Sequence, residues 1–449
     1  MRWTLSPVFI AWAAAGLLIH LLAGYGLPRD IVQLLLGATG LAHSAVGFWS
    51  DGRRRITAPN LYLFSTGLFV FFPAIYLIGN DPISYGQAAI VPAVSIAYFA
   101  QIVLYHFFWA ARDEAGLVVA GPPSDSGVNR WGVWTGLALI GAGVALRLAG
   151  APDSGLLNAV VFSGVVLLSV ASLRRSGRVG AGWYVVIALA FLVYAEYAFS
   201  GFGRLQLGAL ALCIALAAAH RWPGRSVKAA MLAATAPTIM YFAASRVAFT
   251  AALNPAQSAS VSGLESVVSP LVRFAQLLEL ARAGELQYTY FKSFFATATF
   301  WVPRRLWTDK PVGFGAELAH FFRPELDGWG HSELALFYGE WIFAFGLVGL
   351  VIMVPTIGFL VRWMDGILQR ATEMAIHDRV DLLKVVAIII ACSGLADLVW
   401  GGSFTFGVRL GMRLAVLFAL YVIAGRALWG RSRRPLPDPA RQATAATRV

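Results

Sequence analysis

Between Pro303 and Pro311 stand Arg304, Arg305 and Lys310, with Trp307 and Asp309 among them. Prolines stiffen a loop and lower the entropy lost when it grips a ligand. Arg presents a planar fork that matches phosphate oxygens, and Lys adds a point charge. The grouping suits a phosphate or pyrophosphate; an interfacial anchor touching lipid headgroups is the plainer alternative. Further cations stand at positions that converge on the same side of the chain: Arg204 after Gly201-Phe202-Gly203, Arg246, Arg323, and Arg409 with Arg413. Arg409 and Arg413 are one helical turn apart and share a face. Such convergence fits a pyrophosphate leaving group, whose developing charge needs fixed positive partners. Acid–base candidates in the region are Asp309, Glu317, His320, Asp327, His331, Glu333 and Glu340. His331 is the first choice as base, because it precedes an apolar segment and exchanges a proton near neutral pH. Glu317 and Glu340 are the alternatives, and each of these groups also fits a role as salt-bridge partner for the arginines.

The elements that must position these residues are membrane helices. Of 449 residues, 58% are hydrophobic and 13% charged, where a soluble domain carries about 25% charged residues. The apolar residues fall in blocks of roughly 17–25, long enough to cross a core of about 30 Å. Twelve spans are expected, at 6–25, 31–49, 61–79, 88–110, 131–149, 156–173, 183–200, 205–220, 227–249, 336–361, 382–400 and 409–428. The expected organisation is therefore 1–253 with nine spans, a long polar-aromatic loop over 254–333, 334–430 with three spans, and a disordered tail over 431–449. The first span resembles a signal peptide and reads as uncleaved. The alternating short segments of a β-barrel are missing. Within the loop, 270–283 reads as an amphipathic helix lying on the membrane surface, with Arg273, Gln276, Glu279 and Arg282 on one side. Tyr288, Tyr290, Phe291, Phe294, Phe295, Phe300 and Trp301 follow as an interfacial aromatic belt or the lining of a groove.

Most of the 35 basic residues fall in alternate loops: Arg53–Arg55, Arg112 with Arg130, Arg174, Arg175 and Arg178, Arg221, Arg225 and Lys228, then Arg362 to Lys384 and the C-terminal arginines. The positive-inside rule then puts both termini and these loops in the cytoplasm, and the 254–333 loop outside. The net charge of +12 reads as attraction of the cytoplasmic loops to anionic lipid rather than to nucleic acid. Cys213 and Cys392 lie in apolar blocks and imply neither a disulfide framework nor a metal site. Walker, dinucleotide-binding and His-E-x-x-His patterns are missing, so no cofactor or metal is expected.

On these residues the chain resembles the Wzy-type oligosaccharide repeat-unit (O-antigen) polymerases of bacterial inner membranes. The resemblance rests on Val302-Pro303-Arg304-Arg305-Leu306-Trp307-Thr308-Asp309-Lys310-Pro311 followed by Gly313 and Gly315, on Gly339-Glu340 running to Phe345-Gly346-Leu347-Val348-Gly349, and on Gly203-Arg204. It covers roughly 200–350, and the chain departs from the pattern at Trp341-Ile342-Phe343-Ala344, where a tyrosine and an asparagine are common. The resemblance implies a metal-independent glycosyltransferase of the GT-C type, acting at the periplasmic face of the inner membrane. Donor and acceptor would be glycans on undecaprenyl pyrophosphate. Arg304, Arg305, Lys310 and Arg204 would hold the pyrophosphate, and His331 or a carboxylate would take the proton. Membrane lipid is a further partner, and the resemblance leaves room for a polysaccharide chain-length regulator. The rival readings are an O-antigen ligase or other lipid-linked glycan transferase, then a flippase or transporter, then a polyprenyl-monophosphate sugar transferase.

Overall fold

The computed structural model describes residues 6–52, 55–78, 90–109, 126–151, 155–175, 179–198, 205–253, 264–326 and 332–432. Among them every regular element is helical. The first nine helices are α1 (Pro7–Gly24), α2 (Arg29–Ser50), α3 (Ala58–Tyr76), α4 (Ile90–Trp109), α5 (Ser126–Leu148), α6 (Gly155–Leu173), α7 (Ala181–Tyr197), α8 (Leu205–Ala218) and α9 (Gly224–Leu253). Three more, α10 (Glu265–Ala283), α11 (Lys292–Ala298) and α12 (Phe314–Phe322), fall in the segment read as a loop. The last four are α13 (Leu336–Phe345), α14 (Leu347–Glu373), α15 (Arg379–Ser393) and α16 (Leu395–Ser432). Eight helices among the described residues are long and apolar enough to cross a membrane, and α7, α8 and α13 are shorter apolar helices. The chain is an all-helical, polytopic membrane protein. Of the expected tail, α16 takes in the residues up to Ser432, and 433–449 lie outside the described residues.

One end of the bundle is tied by the arginine-rich segments. Thr57 caps α3 in a capping box with Asn60, and Asp51 accepts from the Thr57 hydroxyl. Fully buried Lys228 of α9 donates to the Asp51 carbonyl, and Asp365 of α14 accepts from the Ala58 N–H at 3.1 Å. Arg174 donates to the Ala371 carbonyl at 2.8 Å, and Arg221 to that of Leu173 at 2.7 Å. Burial, with Arg174 and Arg221 beside it, pushes the His220 imidazole down to about 4, so it is neutral at physiological pH. The short segments joining the helices here therefore have their polar groups bonded into the bundle. Elsewhere α5 and α6 approach closely where Gly136 faces Gly164, since a Cβ on either would sit within 3 Å of the other's carbonyl oxygen.

The opposite end departs from continuous spans in two places. The apolar block 336–361 reads as one span, but it breaks at Gly346 (φ 65°, ψ −152°) into α13 and α14. At ten residues, α13 is about 15 Å long, half a hydrocarbon core. Its first turn reaches into the bundle, where the Tyr338 hydroxyl meets that of Tyr62 at 3.3 Å and its ring stacks on Phe274. Its last turn meets the chain at Thr289 and Tyr290, whose N–H groups donate to the carbonyls of Phe343 and Ala344. The helix thus enters the bundle without crossing it. The second break is Gly402 (φ 78°, ψ −173°) inside α16. Here α15 with the first turns of α16 runs out to a tip, and the rest of α16 returns antiparallel, bringing Gly394 against Phe406 and Asp397 against Arg409.

The amphipathic helix α10 is not laid on a surface. Its apolar positions Val268, Leu271, Phe274, Ala275, Leu277 and Leu278 are buried, packed against α3, α4 and α13. Arg273, expected on its wet side, is buried as well and pairs with Glu333 at 3.1 Å. The apolar stripe was legible, but its partner is the bundle, because α13 supplies an apolar face that the block 336–361 taken as one span would have hidden.

Candidate functional site

The site is built around the break at Gly402. A new helix starts there, and its first N–H groups have no partner in the preceding turn. Glu340 of α13 supplies one: its Oε2 accepts from the Ser403 N–H at 2.5 Å and its Oε1 from the Ser403 hydroxyl at 2.7 Å. The Ser293 hydroxyl of α11 donates to Oε1 at 2.5 Å. A carboxylate 1% exposed therefore clamps three elements, α11, α13 and α16, at one point. Only glycine fits at 402, since a Cβ would lie 2.5 Å from Glu340 Oε2.

Glu317 is held from the neighbouring residue of the same turn. Lys292 Nζ lies 2.6 Å from Glu317 Oε1 as an ion pair, and among the described residues neither carboxylate oxygen of Glu317 has a partner in hydrogen-bonding geometry. Glu317 is buried while Lys292 is half exposed. One turn of α11 thus presents two carboxylates, one fully engaged and one paired only with a lysine that solvent reaches. Close by, Glu333 accepts from Arg273 at 3.1 Å and pairs with Arg323 at 3.3 Å, and the Arg273 guanidinium lies 4.4 Å over Phe322.

The chain from α11 to α12 forms a shell along one face of α16. Ser403, Gly407 and Gly411 are spaced by four and form one stripe. Ser403 meets Glu340, Gly407 meets Thr297, and Gly411 meets Phe300. Gly313 then packs on Phe404. Lys310 staples this shell, its Nζ donating to the carbonyls of Phe300 at 2.8 Å and Val302 at 2.9 Å. Arg304 and Arg305 are exposed on it. So are Phe291, Trp301 and Leu306, at 70%, 71% and 81%. The rim combines exposed cations, of which Arg304 donates through Nη1 to the Lys310 carbonyl at 3.4 Å, with apolar side chains on a backbone fixed by Lys310 and Pro303.

Arg409 belongs to a different place. It lies two residues from both Gly407 and Gly411, so it projects from the other side of α16. There it is bonded to Asp397, with Arg413 one turn on. The structure therefore groups Arg304, Arg305, Lys310, Arg323, Glu317 and Glu340 around the shell and leaves Arg409 behind α16. His331 and Arg204 lie outside the described residues, and Arg246 falls on α9 with its side chain outside them. Sequence reasoning gave no site role to Lys292, Ser293, Ser403 or Asp397. A signal existed for Asp397, a lone acid in an apolar run, and for Ser403, which follows Gly401-Gly402 at a span end. Among the described residues no three His, Cys, Asp or Glu side chains come together to hold a metal ion. No family model, curated protein or solved structure matches the chain.

Proposed function

We propose that the protein is a glycosyltransferase of lipid-carried glycans, polymerising undecaprenyl-pyrophosphate-linked repeat units at the periplasmic face of a bacterial inner membrane, with both termini cytoplasmic. What supports this most is that the one segment from α11 to α12 carries both a buried carboxylate, Glu317, held only by an ion pair to half-exposed Lys292 among the described residues, and a rim of exposed Arg304 and Arg305 with exposed Phe291 and Trp301. A lipid-linked pyrophosphate needs cations for its charge and apolar surface for its tail, and glycosyl transfer needs a base near the attacking hydroxyl. In this reading the acceptor's terminal hydroxyl attacks the donor's anomeric carbon and its proton passes to Glu317. The anomeric C–O bond breaks with its electron pair going to undecaprenyl pyrophosphate, which leaves. Arg304, Arg305 and Arg323 offset the charge that develops on the leaving group. Lys310 positions this rim, and Glu340 positions Ser293 and the α16 break.

The test is a purified protein supplied with undecaprenyl-pyrophosphate-linked repeat units, its products resolved on a glycan gel. A ladder is expected from the wild type. Glu317→Gln should abolish it, and Arg304→Ala should lower kcat by about 10²-fold, both at normal protein level. A normal ladder from Glu317→Gln with none from His331→Ala would move the base to His331. A single transfer to a non-carrier acceptor in place of a ladder would identify a ligase. No product of either kind from folded protein overturns the reading.

A further inference from the structure

Behind α16, away from the shell, a carboxylate stands in an otherwise apolar run. Asp397 is 1% exposed and lies on the outgoing arm of the hairpin, before the break at Gly402. Its neighbours Leu395, Ala396, Leu398 and Val399 are buried, so this arm is a fixed part of the core. Twelve residues on, on the returning arm, Arg409 donates to Asp397 Oδ1. Arg413, one turn further, lies 3.9 Å from Oδ2 and rests 3.6 Å over the Phe162 ring of α6. Burying charges is costly, and apolar residues of similar volume in place of a buried ion pair are often no less stable. The best-attested use of such a pair is to fix register.

The returning arm needs such a reference point. Its residues 403–412 are only partly buried, and in a bilayer an apolar helix face gains little by meeting a neighbour rather than lipid. Glu340 holds the arm at its first turn, through Ser403. A helix held at one end is still free to turn about its axis. Arg409 lies six residues on, about 9 Å along the axis, and on the other side from the Ser403-Gly407-Gly411 stripe. Two points on different sides determine the rotation. Rotation matters here because Gly407 and Gly411 seat the shell by having no side chain. A Cβ at Gly407 would lie 2.4 Å from Thr297 Cγ2, and one at Gly411 2.3 Å from the Phe300 ring. Turning the arm by one residue would bring Phe406 or Val408 to the place of Gly407.

We propose that Asp397 and Arg409 are positioning residues for the site on the far side of α16. They fix the rotation of the returning arm, so that its glycine stripe faces the shell and the shell carries Arg304 and Arg305 to their place. Arg413 anchors the same arm to α6. That the positioned site transfers glycosyl groups rests on the reading above; the rotation itself does not.

The test is oxidative cross-linking of the full-length protein carrying Thr297→Cys and Gly407→Cys. A Cβ at 407 lies 3.8 Å from that of residue 297, a separation suited to a disulfide, and the native Cys213 and Cys392 are buried. With the three charges intact the cross-link should form. Removing Asp397 alone would strand two buried cations, so the informative variant removes all three charges: Asp397→Leu with Arg409→Met and Arg413→Met. It should melt no lower than the charged hairpin and lose the cross-link. With Thr297 and Gly407 native, it should also lower kcat by about 10²-fold at unchanged KM. The pair restored in reverse, Asp397→Arg with Arg409→Asp and Arg413→Met, should bring back both cross-link and kcat. A cross-link lost and regained in this way supports the proposal even where the wild type makes no ladder, a result that would fall on the glycosyl-transfer reading alone. The proposal is overturned if the charged hairpin does not cross-link, if the charge-free one cross-links as fast, or if the reversed pair restores nothing. It also falls if the charge-free hairpin unfolds, since the pair would then be a stabilising element.

Discussion

Two glutamates held by adjacent residues of α11, Glu317 by Lys292 and Glu340 by Ser293, illustrate how surroundings divide roles. Glu340 accepts from Ser293 and from both donors of Ser403, so its removal strands buried donors in three elements. Glu340→Ala should destabilise the protein by about 2–4 kcal/mol, and Glu340→Gln, which keeps the shape but loses an acceptor, by less. Glu317 pairs with Lys292 and makes no side-chain hydrogen bond among the described residues, so Glu317→Gln should melt close to the wild type while product formation fails. Melting curves and glycan gels on the two pairs separate a clamp from a base; equal melting of Glu340→Ala and Glu317→Gln would refute the division. At this scale the sequence was partly legible. Arg304, Arg305 and Glu317 stood out by type and spacing. Nothing in the string distinguishes Glu340 from Glu317, because the difference lies in Ser403, 63 residues away.

At the scale of elements, two glycines determine the architecture of the site. Gly346 and Gly402 both combine a positive φ with an extended ψ, a region closed to residues with a Cβ. Gly402→Ala should cost about 1–3 kcal/mol of backbone strain and also displace Glu340, whereas an alanine at Gly141, which faces open space, should be neutral. Comparative melting of the two variants checks this, and equal effects would mean that the break is not enforced by residue 402. These breaks explain where sequence reading stopped. Hydropathy is continuous across 336–361, so the block reads as one span, and a single glycine in an apolar helix carries no mark of its φ. The stripe of α10 was visible, but periodicity tells which face is apolar and not what covers it.

At the scale of the whole molecule, apolar blocks foretold the helices well because length and composition alone make a span. The arginine-bearing segments also meet at one end, as Asp51, Lys228, Arg174 and Asp365 show by their bonds. What composition could not supply was the order of dependence among the helices. The half-helix α13 is too short to be threaded through a bilayer on its own, and its carboxylate has no cap to hold until residue 403 has been synthesised. The shell along α16 likewise has no wall to lean on until Gly407 and Gly411 exist. Biogenesis of the site therefore waits for the final hairpin. A ribosome-stalled chain ending at residue 400 should expose 299–311 to protease, and one extended through residue 432 should protect it. Equal digestion of both would show that the shell assembles without its last strut. The chain's C-terminal hairpin is thus its quality-control point: a premature stop there leaves every earlier helix in place and the site unmade.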